Sequence, residues 1–220
     1  MDDILTKIAN CVERGKVNKD SPYPPDMKGE DGSDELTQRA LKENVQPGDI
    51  LNKALVVGMH SIGVKFRDNL VFVPDVLMAA KAMNAAMQHL KPFFLSGAIQ
   101  RKGTIVIGTV AGDLHDIGKK IVAMMFEGGG WEVIDLGVDV PADKFLNALD
   151  VHPKALVGLS ARFTTTMLNM EAITRAVKAK SPKTKVLVGG APLTKEFAAK
   201  ISADFYSPDP QGALDFVGQL

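Results

Sequence analysis

Apolar positions recur at helical spacing through the first part of the chain and give way to short β-branched runs after it. Ile4, Leu5, Ile8, Ala9 and Val12 fall at the three- and four-residue intervals that line one helix face, and "DELTQRALKENV" (34–45) keeps the same period. "PGDILNKALVVGMHSIGVKF" opens on Pro47 with Asp49 in the first turn, as helix starts favour. In "FVPDVLMAAKAMNAAMQHLKP", Val73, Val76, Leu77, Ala80, Met83, Met87 and Leu90 form one apolar face, and Pro92 is expected to stop the helix. These segments predict a four-helix bundle over residues 1–95. Pro, Gly and Asp crowd "NKDSPYPPDMKGEDGS" (18–33), which reads as a loop, long for a bundle connection.

A linker, "SGAIQRKG" (96–103), separates this part from an α/β pattern over 104–220. Strands are predicted at 104–110, 132–136, 155–160 and 185–189, with helices at 117–127, 141–149, 166–180 and 194–201 between or after them. "ADFYS" supplies a fifth short strand and "GALDFVGQL" a last helix. Near-continuous apolar strands alternating with helices mean a parallel sheet covered on both faces. Five of them predict a doubly wound, flavodoxin/Rossmann-like domain, whose ligand crevice lies beyond the carboxyl ends of the strands. "GDLHDIG" leaves the first strand, "SARFTTT" the third and "GGAPLT" the fourth, so an imidazole with carboxylates, a hydroxyl cluster and a glycine pair should meet along one edge.

Composition narrows what could bind there. Twenty-six Lys and Arg balance twenty-six Asp and Glu, so charge draws the chain neither to nucleic acid nor to an anionic membrane. One cysteine, Cys11, excludes an internal disulfide, and no apolar run approaches membrane-spanning length; a cytoplasmic protein is expected. Phosphate-loop and dinucleotide glycine motifs are absent, and Ser160 stands in no nucleophile elbow. A histidine beside a carboxylate suits a metal that needs one protein ligand, because the carboxylate fixes the tautomer and raises the basicity of the free nitrogen. One ligand cannot hold a free ion, so such a metal would arrive inside a macrocycle. A plainer reading stays open, in which Asp113 or Asp116 caps the helix beginning near Ile117 and His115 is an ordinary loop residue.

"GDLHDIGKK" carries the D-x-H-x-x-G motif of cobalamin-binding domains, and "VGLSARFTTTM" and "VLVGGAP" resemble that family's second and third signatures in order and spacing. The preceding helices resemble the cap of its methyltransferase branch, the corrinoid proteins of anaerobic methyl transfer, whose module also occurs in cobalamin-dependent methionine synthase. The resemblance implies that His115 is the lower axial ligand of cobalt, hydrogen-bonded by Asp113, with Thr166 extending the proton relay. It implies that Leu114, Asp116, Ile117 and Gly118 border the cofactor, Asp116 reading as a helix-start residue. Ser160 and Thr164 would line the slot for the nucleotide tail, and Gly189 and Gly190 would let backbone approach it. Phe66 and Val73 match the positions of the cap side chains over the reactive face. His60, His89 and His152 read as structural.

The implied function is that of a methyl carrier without turnover of its own. A donor-specific methyltransferase would load a methyl group onto Co(I), and an acceptor methyltransferase would pass it to a tetrahydrofolate or a thiol. A reductive activator is an implied third partner, and the linker with Gly97 and Gly103 would be the hinge. The long 18–33 loop suggests partner docking and a methyl-ether (O-demethylase) system; methanol, methylamine and betaine donors are alternatives. A cobalamin-dependent sensor is a rival of another class, disfavoured by the lack of a basic recognition helix. The small subunit of a carbon-skeleton mutase is disfavoured by the helical half.

Overall fold

Helix α1 (Asp2–Glu13) turns inward the face its spacing predicts, burying Leu5, Ile8 and Val12. α2 (Ser33–Lys42) buries Leu36 and Ala40, and its Glu35 carboxylate accepts the Gly32 N–H at 2.8 Å, satisfying a donor the helix start leaves free. α3 (Pro47–Asp49), a π-helical stretch Ile50–Leu55 and α4 (Val56–Arg67) follow one another on helical backbone as one rod. α5 (Val73–Leu95) is the longest helix. The computed structural model describes residues 2–219, in two compact units. The helices above belong to the first, made of the residues up to Arg101 with Gly128–Gly130; the second comprises Lys102–Glu127 and the residues from Trp131 onward.

Close approach sets the helical unit's packing. A Cβ at Gly58 would lie 2.5 Å from the Ala9 carbonyl oxygen, so α1 and α4 can be this near only with glycine there. Pro92 does not stop α5, contrary to the expectation from sequence. It stands on the exposed side of the final turn, where its fixed φ is compatible with helix and the carbonyl it leaves unbonded belongs to exposed Gln88. The 18–33 segment is clasped to the bundle. The Tyr23 hydroxyl donates to Asp75 Oδ1 at 2.8 Å, the Ser33 hydroxyl donates to the Ala82 carbonyl at 2.7 Å, and Met27 is buried. His89 meets Asp34 at 2.5 Å and ties α5 to α2.

In the second unit five parallel strands lie in the order β2-β1-β3-β4-β5. They are β1 (Thr104–Thr109), β2 (Glu132–Asp135), β3 (Leu156–Ser160), β4 (Val186–Gly189) and β5 (Phe205–Tyr206). Period-two alternation splits the central strands between two cores. Val106, Val157, Val186 and Val188 face Phe145, Leu149, Met170, Ile173 and Val177; Ile105, Leu156 and Leu187 face Phe126, Ala213 and Val217. The covering helices are α6 (Ile117–Gly128), α7 (Ala142–Val151), α8 (Thr164–Met167), α9 (Asn169–Lys180), α10 (Lys195–Lys200) and α11 (Pro210–Val217). The single helix expected over 166–180 thus begins two residues earlier and is interrupted at Leu168. Register brings three strand exits level: Thr109 pairs with Ser160, and Ser160 with Gly189.

Candidate functional site at the strand exits

The chain leaves β1 through a turn that buries a carboxylate. Asp113 is 1% exposed, and four donors surround it. Its Oδ1 accepts the His115 backbone N–H at 3.0 Å and lies 2.9 Å from His115 Nδ1, while its Oδ2 accepts the Arg162 N–H and the Thr166 hydroxyl, each at 2.7 Å. Burial pushes the Asp113 carboxyl pKa up, but the hydrogen bonds from Arg162, Thr166 and His115 outweigh it and hold the group well below the usual carboxylate range. An ionised Asp113 can only accept, so Nδ1 of His115 carries the proton. In the neutral ring Nε2 is then the nitrogen with the lone pair, on a side chain that is half exposed.

Parts far apart in sequence hold this arrangement. The Thr109 hydroxyl donates to the His115 carbonyl at 2.9 Å, and Asn169 donates to the Ala111 carbonyl at 2.7 Å. Phe163 presents its ring at 90° to the imidazole, centroids 4.7 Å apart. Sequence reasoning missed Thr109, Phe163 and the backbone N–H of Arg162. Their signal was there only in outline, since "SARFTTT" was placed at the right strand end but its backbone cannot be read from side-chain type. It also missed Lys119, whose buried ammonium pairs with the Asp135 carboxylate at the end of β2.

Other residues singled out from sequence have varied surroundings. The Asp116 carbonyl accepts the Lys120 N–H at 2.8 Å, opening α6, and its carboxylate pairs with the Lys120 ammonium, which lowers its pKa. Ser160 ends β3 half-buried, and Thr164 is exposed at the start of α8. The two glycines at the end of β4 are not equivalent. A Cβ on Gly189 would meet only the Ser207 carbonyl oxygen at 3.8 Å, whereas one on Gly190 would fall 1.9 Å from the Ala161 carbonyl oxygen, at a φ of +140°. At Gly190 a side chain therefore collides with backbone before it can fill any channel. Phe66 and Val73 belong to the helical unit, both half-buried, with the more exposed Leu70 and Phe72 on the turn between them.

A corrinoid asks this edge for one imidazole nitrogen, apolar surface and room for a tail. His115 offers the nitrogen. Leu114, Ile117 and Phe163, 71%, 66% and 53% exposed, flank it with apolar surface of a kind that soluble proteins normally cover. A Cβ at Gly118 would meet nothing within 4 Å, so open space also lies beside α6. Among the described residues, no group of three or more His, Cys, Asp or Glu could hold a bare metal ion. The residues present fit a metal that brings its own equatorial ligands.

Comparison with known proteins agrees. Two family models, each described as a B12 binding domain, match residues 103–214 and 29–91. A trimethylamine corrinoid protein of Methanosarcina mazei is 40% identical over 84% of this chain and 87% of its own length. A dimethylamine corrinoid protein of Methanosarcina barkeri is 41% identical over 79% of this chain and 83% of its own. Among solved structures, a methanol:cobalamin methyltransferase complex of Methanosarcina barkeri aligns with TM-score 0.81 at 28% identity, covering 99% of this chain and 79% of that one. A cobalamin-binding protein of Desulfitobacterium hafniense aligns with TM-score 0.71 at 30% identity, over 84% and 89% of the two chains. With a carboxylate-bonded imidazole at the β1 exit and B12-binding models matching both of its parts, this chain belongs to the cobalamin-binding corrinoid proteins of methyltransferase systems.

Proposed function

We propose that this protein is a cytoplasmic methyl carrier of a methylamine-dependent methyltransferase system, in which His115 Nε2 would hold the cobalt of its cobalamin. The carrying observation is the buried Asp113 carboxylate on Nδ1 of a half-exposed His115, which leaves Nε2 as the ring nitrogen for a ligand. When bound, the cobalt supplies the nucleophile that takes a methyl group from one partner's substrate and yields it to another's. The chain's residues set how firmly the imidazole is offered. Thr166 and the Arg162 N–H hold Asp113 ionised, Asp113 holds the Nδ1 proton, and a proton arriving at Nε2 competes with the metal for the same lone pair. Leu114, Ile117 and Phe163 provide apolar footing, and Gly118 and Gly189 leave room for the tail. Phe66 and Val73 would serve as cap side chains that shield the carried methyl group, and the 96–103 linker as the hinge that gives the two methyltransferases access. As a carrier, the protein would have no turnover without its partner methyltransferases.

The choice of donor rests on two observations. The 18–33 loop, which suggested ether-system docking, is bound to its own helices through Tyr23–Asp75 and Ser33–Ala82. The trimethylamine and dimethylamine corrinoid proteins match over most of the chain at 40% and 41% identity. The test has two parts. Hydroxocobalamin added to purified protein should give the spectrum of a histidine-ligated corrinoid, and His115→Ala should lose it; an unchanged mutant spectrum rejects the ligand. Reduced holoprotein should then be methylated fastest with a methylamine and its methyltransferase. Faster loading from methanol, a betaine or a methoxylated aromatic with the matching partner overturns the donor.

A separate expectation follows for Gly118. Gly118→Ala should stabilise the fold by up to about 1 kcal/mol, because helix backbone favours alanine and nothing obstructs the new methyl. The same methyl should weaken hydroxocobalamin binding. Denaturant and optical titrations read the two effects, and unchanged affinity excludes a tail beside α6.

A further inference from the structure

The loop between β2 and α7 grips the His115 turn from the side opposite Thr166. The Asp139 N–H donates to the Asp113 carbonyl at 3.0 Å, and the Asp139 Oδ1 accepts the Gly112 N–H at 2.7 Å. One residue thus bonds the backbone on both sides of the Gly112–Asp113 peptide. Asp139 does this from the left-handed region, φ +53°, which aspartate, asparagine and glycine tolerate better than other residues. Its own loop is anchored at both ends. Asp135, paired with buried Lys119, accepts the Gly137 N–H at 2.8 Å, and the Val140 N–H bonds the Thr109 carbonyl at 2.9 Å.

We propose that Asp139 is a positioning residue for the imidazole, fixing the peptide before Asp113 so that the carboxylate meets Nδ1 of His115 squarely. Asp113 is then held by its carboxylate from the β3 side and by its carbonyl from the β2 side. A carboxylate clasped at one end only could rotate about its backbone and still keep Arg162 and Thr166, at the expense of the histidine. The consequence for cobalt ligation rests on the functional reading above; the consequence for the tautomer does not.

Three substitutions separate the parts of the device. Asp139→Asn keeps both an acceptor and the tolerance of positive φ, Asp139→Gly keeps only the backbone freedom, and Asp139→Ala keeps neither. Nitrogen-15 NMR of the cobalamin-free protein reads the ratio of Nδ1–H to Nε2–H tautomers at His115. That ratio should match wild type in the asparagine variant and fall roughly fivefold in the glycine and alanine variants, the scale of one lost hydrogen bond. Hydroxocobalamin affinity should follow the same order. If alanine prevents folding, the glycine and asparagine pair decides. A glycine variant with the wild-type tautomer ratio overturns the proposal. If wild type shows the Nδ1–H tautomer yet never gives a histidine-ligated corrinoid spectrum, the ligand reading fails while the positioning role stands.

Discussion

Asp113→Ala will be about 3–5 kcal/mol less stable than wild type at pH 7, the range for removing one partner of a buried charged arrangement. The loss comes from what remains: the Arg162 N–H, the Thr166 hydroxyl and two His115 donors lose their acceptor together. Each buried orphan costs about 1–3 kcal/mol. The total stays below four full penalties because the His115 ring is half exposed and water can replace its bond. Asp113→Asn should lose less, since one oxygen is retained, but its amide group must face at least one donor.

The pH dependence has a definite sign. The folded pKa of Asp113 is depressed below the unfolded value of about 3.9, so its stabilising contribution is full above roughly pH 4 and is lost as pH falls toward the folded pKa. The gap in unfolding free energy between wild type and Asp113→Asn should therefore be wide at pH 7 and narrow in acid, as denaturant melts at pH 7 and pH 3 would measure. A gap independent of pH would mean that the charge on Asp113 does not stabilise the fold. The same variants should bind hydroxocobalamin with weakened histidine ligation, because Nδ1 loses the acceptor that selects its proton.

The second large effect separates two adjacent glycines. Gly190→Ala puts a methyl 1.9 Å from the Ala161 carbonyl oxygen at a φ that L-residues avoid. Overpacking and backbone strain each cost about 1–3 kcal/mol, so a loss of roughly 2–5 kcal/mol is expected in denaturant melts. The displaced backbone adjoins Arg162, whose N–H holds Asp113, so cofactor ligation should suffer as well. Gly189→Ala reverses the pattern. Its methyl has only an ordinary contact at 3.8 Å, stability should change by less than about 1 kcal/mol, and hydroxocobalamin affinity should drop because the open side of β4 is narrowed. Equal stability losses at the two positions would contradict the difference in their surroundings.

Much of the architecture was legible in the chain. Helical periods before residue 95 and apolar runs after 104 specify helices and a parallel sheet, because amphipathic spacing and two-sided burial leave few alternatives. Asp113 and His115 were legible as a pair since they are two residues apart at a strand exit. Pro92 misled because a proline's effect depends on which side of the helix faces water and on how near the end it falls. The 18–33 segment is legible as a loop, but its polar composition says nothing of the Tyr23 and Ser33 bonds that fasten it.

By itself the sequence determined the elements, their order, the sheet type and the edge where chemistry-bearing residues gather, all consequences of local periodicity and of short parallel crossovers. Only the tertiary structure decided who touches Asp113. Strand register carries Arg162 and Thr166 to one carboxylate oxygen across about fifty residues of chain, and a left-handed turn after β2 brings Asp139 to its carbonyl. It also parted Gly189 from Gly190, identical letters with open space beside one and a carbonyl against the other. Residue type records what a side chain can do; distance and direction across the sheet select which of those capacities is used.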